Sequence, residues 1–127
     1  MPIQPQRLDL FDLTLGAASY ADEWGDRPCL VISHDFYNRR LSTVVVVTLT
    51  RQNRSADTGC VLVRRAAIAG MPGLDGDSYA VCHSPLTVPQ DTLNQRRGRL
   101  TDRTAIVALE NAIAFALELG PDPEDGF

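Results

Sequence analysis

Ser42-Thr43-Val44-Val45-Val46-Val47-Thr48-Leu49-Thr50 is the stretch whose reading decides the fold. Its residues are β-branched almost throughout. Such side chains lose rotamer freedom against the preceding turn of a helix and sit well on a pleated surface, so the stretch reads as a strand. Even and odd positions are both apolar. Neither face can be left to water, which makes this a central strand covered on two sides.

Working outward, Leu8-Asp9-Leu10-Phe11-Asp12-Leu13 shows partial alternation, and Cys29-Leu30-Val31-Ile32-Ser33 is a short apolar run. Gly59-Cys60-Val61-Leu62-Val63 and Tyr79-Ala80-Val81-Cys82-His83 read as two further strands. Met71 to Asp77 is a loop by its Pro, Gly and Asp content, and Gln52 to Thr58 is a polar connection. Gly16 to Asp26 joins the first two strands and is long for a hairpin, which points to a functional loop.

A long helix follows near the end. Thr101 reads as its N-cap, with Asp102 favourable to the first-turn dipole. Residues 105–119 are rich in Ala, Leu and Ile, and Arg103, Glu110, Asn111 and Glu118 fall on one narrow stripe. The apolar surface is wider than one sheet face needs, so the helix is either deeply buried or meets another subunit. Gly120-Pro121 stops it, and 121–127 reads as an acidic, disordered tail behind a single domain over 1–120. Short strands followed by one helix describe a mainly β (α+β) fold: a small antiparallel barrel or curled sheet with a helix packed on it.

The chain has 127 residues, 44% hydrophobic and 22% charged, which suits one modest core. No uninterrupted apolar stretch approaches the ~18 residues of a membrane span, and Met1 to Arg7 holds no apolar signal core, so a cytoplasmic protein without membrane attachment is expected. Cys29, Cys60 and Cys82 are widely spaced in apolar runs with no Cys-x-x-Cys pair, and read as three buried thiols rather than a zinc site or a disulfide framework. The net charge of −4 is unevenly spread. In residues 1–26 Arg7 faces five acids, in 27–103 eleven arginines face six aspartates, and 104–127 holds five acids and no cation. All twelve cations are Arg, whose planar fork suits phosphate, so the basic middle is a candidate nucleic-acid surface, although an acidic chain does not establish one by charge alone.

Gly25-Asp26-Arg27-Pro28 leads directly into the apolar run 29–33, which continues into Asp35-Phe36-Tyr37-Asn38-Arg39. The strand 43–50 ends in Thr48-Leu49-Thr50, Cys82-His83-Ser84-Pro85-Leu86-Thr87-Val88 follows, and Gly98-Arg99-Leu100-Thr101 opens the last helix. In order and spacing, from about Arg7 to Leu119, these segments resemble the MazF/PemK toxins, whose corresponding features are a Gly-x-Arg-Pro turn, an Asn-Arg pair, a Pro-Leu-Thr strand end, a Cys-Asp-Gln-Pro-Arg-Thr-Ile segment and a Gly-Arg-Leu-Ser/Thr helix entry. The chain departs from that pattern at Leu8, where the family's opening triplet has Gly, at Asp22-Glu23-Trp24-Gly25 for the Glu-Gln-Gly-Gly loop, and at Ser84 and Leu86, where relatives carry Gln and Arg that help line the substrate groove.

The resemblance implies a small SH3-like barrel with a C-terminal helix (CcdB/PemK-like) and a metal-independent endoribonuclease toxin, an mRNA interferase, of a type II toxin–antitoxin pair. It implies a homodimer, a single-stranded RNA substrate, a cognate antitoxin as partner and no cofactor or metal. In the implied reaction the RNA 2′-hydroxyl attacks the adjacent phosphate and leaves 2′,3′-cyclic phosphate and 5′-hydroxyl ends. Arg27 matches the catalytic arginine and suits the growing phosphate charge. Thr50 matches the threonine ending the third strand and can hold a phosphate oxygen. His83 stands where many relatives place an acid and titrates near neutrality, so it is a candidate general base or acid. Asn38, Arg39, Arg51 and Arg54 are candidate RNA contacts, with Arg40, Arg64 and Arg65 as further cations at strand–loop junctions. Trp24 either stacks on a base or staples its loop. The rival readings are a gyrase-binding CcdB-like protein, which needs no Arg–Thr pair, and a family member that has lost cleavage.

Overall fold

The computed structural model describes residues 4–14 and 27–119. The 16–26 connection with Trp24, the Gly120-Pro121 helix stop and the 121–127 tail lie outside the described residues. Eight strands form one antiparallel sheet: β1 Asp9–Leu13, β2 Arg27–Val31, β3 Thr43–Thr50, β4 Cys60–Val63, β5 Ile68–Ala69, β6 Ser78–Val81, β7 Leu86–Pro89 and β8 Leu93–Leu100. A short helix α1, Asp35–Asn38, leads into β3, and α2, Arg103–Ala116, ends the described chain.

β3 is the hub. The strand order is β4-β6-β3-β2-β1-β8-β5, and β7 also pairs with β3. Along one edge of β3, residues 43–46 pair with β7 and Leu49–Thr50 with β6, while Val46–Thr48 bond β2 on the other edge. Alternation then sorts its side chains between two cores. Val44 and Val46 join Phe11, Leu13, Cys29, Val31 and Val88. Val47 and Leu49 join Leu10, Leu30, Ala80, Leu100 and the inner stripe of α2. Burying these four β3 side chains contributes about 8 kcal/mol of transfer free energy, comparable with the net stability of a whole domain. The two-sided central strand expected from the sequence is therefore present, within a curled sheet carrying a C-terminal helix.

Asp102 caps α2, its carboxylate accepting from the Ala105 N–H at 2.9 Å, so the helix begins one residue later than a Thr101 cap would give. Ala105 and Leu109 are buried, with Ile106, Ala112 and Ile113 packed beside them, one i, i+4, i+7 stripe. The helix is not buried all round: Val107 and Phe115 face outward, with Phe115 64% exposed, and Leu117 and Leu119 just after it are exposed too. No described helix is long and apolar enough to cross a membrane.

The sequence reading passes over β5, β7 and β8. β8, Leu93-Asn94-Gln95-Arg96-Arg97-Gly98-Arg99-Leu100, lacks apolar alternation, and charge pairs reinforce its backbone ladder with β1. Asp9, 1% exposed, accepts from Arg96 at 2.8 Å and Arg99 at 3.2 Å, and its other oxygen accepts from the Gln6 N–H. Leu8, where the resembled family has Gly, adopts φ 76°. That backbone costs a side-chain-bearing residue about 1–2 kcal/mol, offset by burial of the leucine in the core. Its N–H donates to Val31 and its carbonyl accepts from Leu100, so it bridges β2 and the end of β8.

Gly98 has φ 150°, and a Cβ there would stand 2.5 Å from the Ala69 carbonyl oxygen. Backbone cannot yield as a flexible side chain does, so Gly98→Ala should lower unfolding stability by about 2–4 kcal/mol. Urea titration followed by circular dichroism checks this, and an unchanged midpoint would refute the close β5–β8 approach.

Candidate functional site

The antiparallel register of β2 and β3 builds the site. The β2–β3 ladder ends at Cys29 opposite Thr48, and its register carried two residues further points Arg27 toward Thr50. The alternation that points Cys29 and Val31 one way points Arg27 the same way. Leu13 of β1 pairs with Arg27 on its other side, and Asp12 with Pro28. The strand begins at Arg27, two residues before the apolar run, so Arg27-Pro28 belongs to the sheet.

A groove of about 420 Å³ opens at this end of the sheet. Pro28, Leu49, Leu74 and Ser78 line its less polar part, and Asp12, Arg27, Thr50, Arg51, Gln52, Asp75 and Arg97 supply the polar wall. Thr50 Oγ1 accepts from the Gln52 N–H at 3.2 Å, which leaves the hydroxyl hydrogen to donate elsewhere. The Arg51 guanidinium lies over Gly76, where a Cβ would meet it at 2.9 Å. Arg97, 16% exposed, donates to the Gly73 carbonyl at 2.7 Å and pairs with Asp12 and Asp75, each at 3.3 Å. This chain of charges ties β1, β8 and the 71–77 loop around the groove. Sequence reasoning missed Arg97, Asp12 and Asp75. The Arg96-Arg97-x-Arg99 cluster was the available signal, but β8 does not read as a strand.

The other candidates are spread through the fold. Arg54 is exposed on the β3–β4 connection and donates to Gln52 Oε1 at 2.9 Å, beside the groove. Arg39 caps α1 before β3 begins, about 23 Å along that strand from Thr50. Asn38 is 1% exposed. Its amide donates to the Ser33 carbonyl and Asp35 and accepts from the Ser33 hydroxyl, so Asn38 orders the turn before β3 and does not present itself to RNA as expected. His34 caps α1, accepting from the Phe36 N–H. Arg40 lies over the Phe36 ring at 3.7 Å, and Arg64 lines a separate cleft between β4 and α2. Leu86, where relatives have Arg, pairs with Val46 and packs on the second core, so β7 brings no cation at that position.

His83 is not grouped with Arg27 and Thr50 within the chain. β6 pairs Tyr79 with Thr50, and His83 lies four residues beyond Tyr79, about 13 Å along the strand direction. Its Nε2 stands 3.4 Å from Asp57 Oδ2, and its Nδ1 is hydrogen-bonded with Ser84 Oγ at 2.9 Å. Asp57, Cys60 and His83 form a set of possible metal ligands whose donor atoms lie within 4.8 Å of one another. The backbone N–H of Gly59 on Asp57 holds that carboxyl below the usual range, with smaller help from His83. Cys60 is therefore half-buried beside charge, not a core thiol as the sequence suggested. Cys29 and Cys82 are core thiols, both pushed up to about 12 chiefly by burial.

The family profile described as PemK-like, MazF-like toxin of type II toxin–antitoxin systems matches residues 6–117. Among solved structures, an endoribonuclease in complex with its cognate antitoxin from a mycobacterial species is 24% identical, with TM-score 0.68 over 94% of this chain and 98% of that one. The Mycobacterium tuberculosis toxin MazF-mt6 is 25% identical, with TM-score 0.70 over 89% and 99%. A MazE–MazF structure from Deinococcus radiodurans is 14% identical, with TM-score 0.73 over 93% and 100%, a likeness of fold.

Native protein treated with an alkylating agent near neutral pH should label at Cys60 alone, and at all three cysteines once unfolded. Mass spectrometry reads the sites. Fast native labelling of Cys29 or Cys82 would contradict the burial of those thiols.

Proposed function

We propose, from the premise that this chain belongs to the PemK-like, MazF-like family of type II toxin–antitoxin toxins, that it is an endoribonuclease whose cutting site is the groove at Arg27 and Thr50. The observation that carries this reading is the groove itself, whose polar wall holds both Arg27 and Thr50 together with Arg51 and Arg97.

The 2′-oxygen of the substrate attacks the adjacent phosphorus in line, the P–O5′ bond breaks, the departing 5′-oxygen takes a proton from water, and a 2′,3′-cyclic phosphate and a 5′-hydroxyl form. Arg27 donates to the non-bridging oxygens as the phosphorane gains charge, an interaction stronger in the transition state than in the ground state. The Thr50 hydroxyl donates to one of the same oxygens and keeps the phosphate in line. The groove carboxylates able to take the 2′ proton are Asp12 and Asp75, which in the free protein accept from Arg97. Arg51 and Arg54 bind the RNA backbone on the groove's rim. His83, despite its place in the motif, takes no part from where it stands in the same chain.

The wider assignment is a cytoplasmic homodimer acting on single-stranded RNA and restrained by a cognate antitoxin. The neighbour solved with its antitoxin and the outward apolar residues of α2 support this. A second reading, a member with impaired cleavage, is favoured by one observation: Leu86 is committed to the core and leaves no arginine at its place.

Wild-type protein should cleave a long single-stranded RNA in EDTA and leave cyclic phosphate ends. Arg27→Ala should lower cleavage by at least about 100-fold and Thr50→Val by about 10- to 100-fold. End-group analysis and single-turnover rates check this. A folded, antitoxin-free wild type that leaves varied RNAs intact would move the assignment to the impaired or gyrase-binding reading.

A further inference from the structure

The Asp57–Cys60–His83 cluster lies away from the groove, and the nuclease reading does not use it. We propose that these three side chains form a Zn²⁺ site that ties the β3–β4 connection to the end of β6.

The donor set points to the metal. A thiolate, an imidazole and a carboxylate together suit a borderline-soft divalent ion such as Zn²⁺, whereas Mg²⁺ and Ca²⁺ seek oxygen alone. The geometry is close to what the ion needs. Two ligands at about 2.0 Å from a tetrahedral centre stand about 3.3 Å apart. Asp57 Oδ2 and His83 Nε2 already stand 3.4 Å apart. Sulfur, at about 2.3 Å from the metal, belongs about 3.5 Å from each. All three donor atoms lie within 4.8 Å of one another, so closing the site takes about 1 Å of side-chain movement.

The ligands are also held from behind. Gly59 N–H donates to Asp57 Oδ1 at 2.8 Å, which leaves Oδ2 turned to His83. The His83 ring rests against Gly59 so closely that a Cβ there would fall 2.3 Å from its Cδ2. The Ser84 hydroxyl on Nδ1 fixes the ring's rotation. With metal on Nε2, the ring proton sits on Nδ1 and donates to Ser84 Oγ, the outer-shell contact that metal-bound histidines ordinarily make. The backbone joins the same elements: Cys60 N–H donates to the Asp57 carbonyl and Cys82 N–H to that of Gly59. Asp57 and Cys60 are partly exposed and His83 is exposed, so the ion has a way in, and water fills the fourth position. Binding displaces the Cys60 thiol proton to solvent.

The bound ion would close the connection that leaves the groove at Thr50-Arg51-Gln52 and carries Arg54. The test of this site is read without RNA, so the nuclease reading and this one can fail separately.

The test is titration of the full, antitoxin-free chain with Co²⁺, followed by Zn²⁺ competition. The expected result is a thiolate-to-cobalt charge-transfer band with tetrahedral ligand-field bands, saturating at one ion per chain and displaced by Zn²⁺. Cys60→Ser should abolish the charge-transfer band. His83→Gln should weaken Zn²⁺ binding by about 100-fold or more, and the supporting change Ser84→Ala by about 10-fold. Zn²⁺ should also shield Cys60 from alkylation. Circular dichroism shows whether each variant is folded, and the exposed His83 and Ser84 carry the test if Cys60→Ser is not. A wild type with no saturable band, a band that persists in folded Cys60→Ser, or Zn²⁺ affinity unchanged in His83→Gln would overturn the site and leave the trio a hydrogen-bonded cluster.

Discussion

The structure depends on one strand with no face and no edge to spare. β3 gives its first half to β7, its last residues to β6 and its opposite edge to β2, while its side chains divide between two cores. A slip of one residue either way would mostly exchange valines between the cores but would bring Thr48 into a place now held by Val47 or Leu49, so the threonines at the end of the run help to fix the register. That register, carried past its last pair at Cys29 and Thr48, points Arg27 toward Thr50 in the groove that both line.

Charge does for β8 what apolar contact does for β3. Asp9 takes Arg96 and Arg99, and Asp12 takes Arg97. A buried carboxylate left without its arginines would be costly, so these pairs fix how β8 lies on β1. The acidic start of the chain and the basic middle, which look like separate regions in the sequence, neutralise each other in part here. Arg27 and Arg51 line the groove and Arg54 stands next to it, so a chain of net charge −4 still gathers arginines at this end of the sheet.

Where local pattern and tertiary role agreed, the sequence was readable. The β-branched run 43–50 and the helix after Thr101 stand out because burial and propensity point the same way. β8 was illegible because its polar residues are matched to partners far along the chain, over 80 positions away for Asp9 and Arg96. Asn38 shows the opposite error: a polar residue beside an arginine suggests a surface contact, yet its amide is spent inside the turn before β3. His83 follows the same lesson. Motif position made it a candidate general base or acid, while the chain carries it past the end of β6 into the following turn, against Gly59 and Asp57.

The central claim, that Arg27 and Thr50 act on one phosphate, is tested most directly by a double-mutant cycle on single-turnover RNA cleavage with Arg27→Ala, Thr50→Val and the pair. If both side chains hold the same phosphate, the losses do not multiply, and the double variant falls little below Arg27→Ala alone. Independent, fully multiplicative losses would mean that these two residues of one groove do not share a substrate group, and the groove would not be the cutting site described.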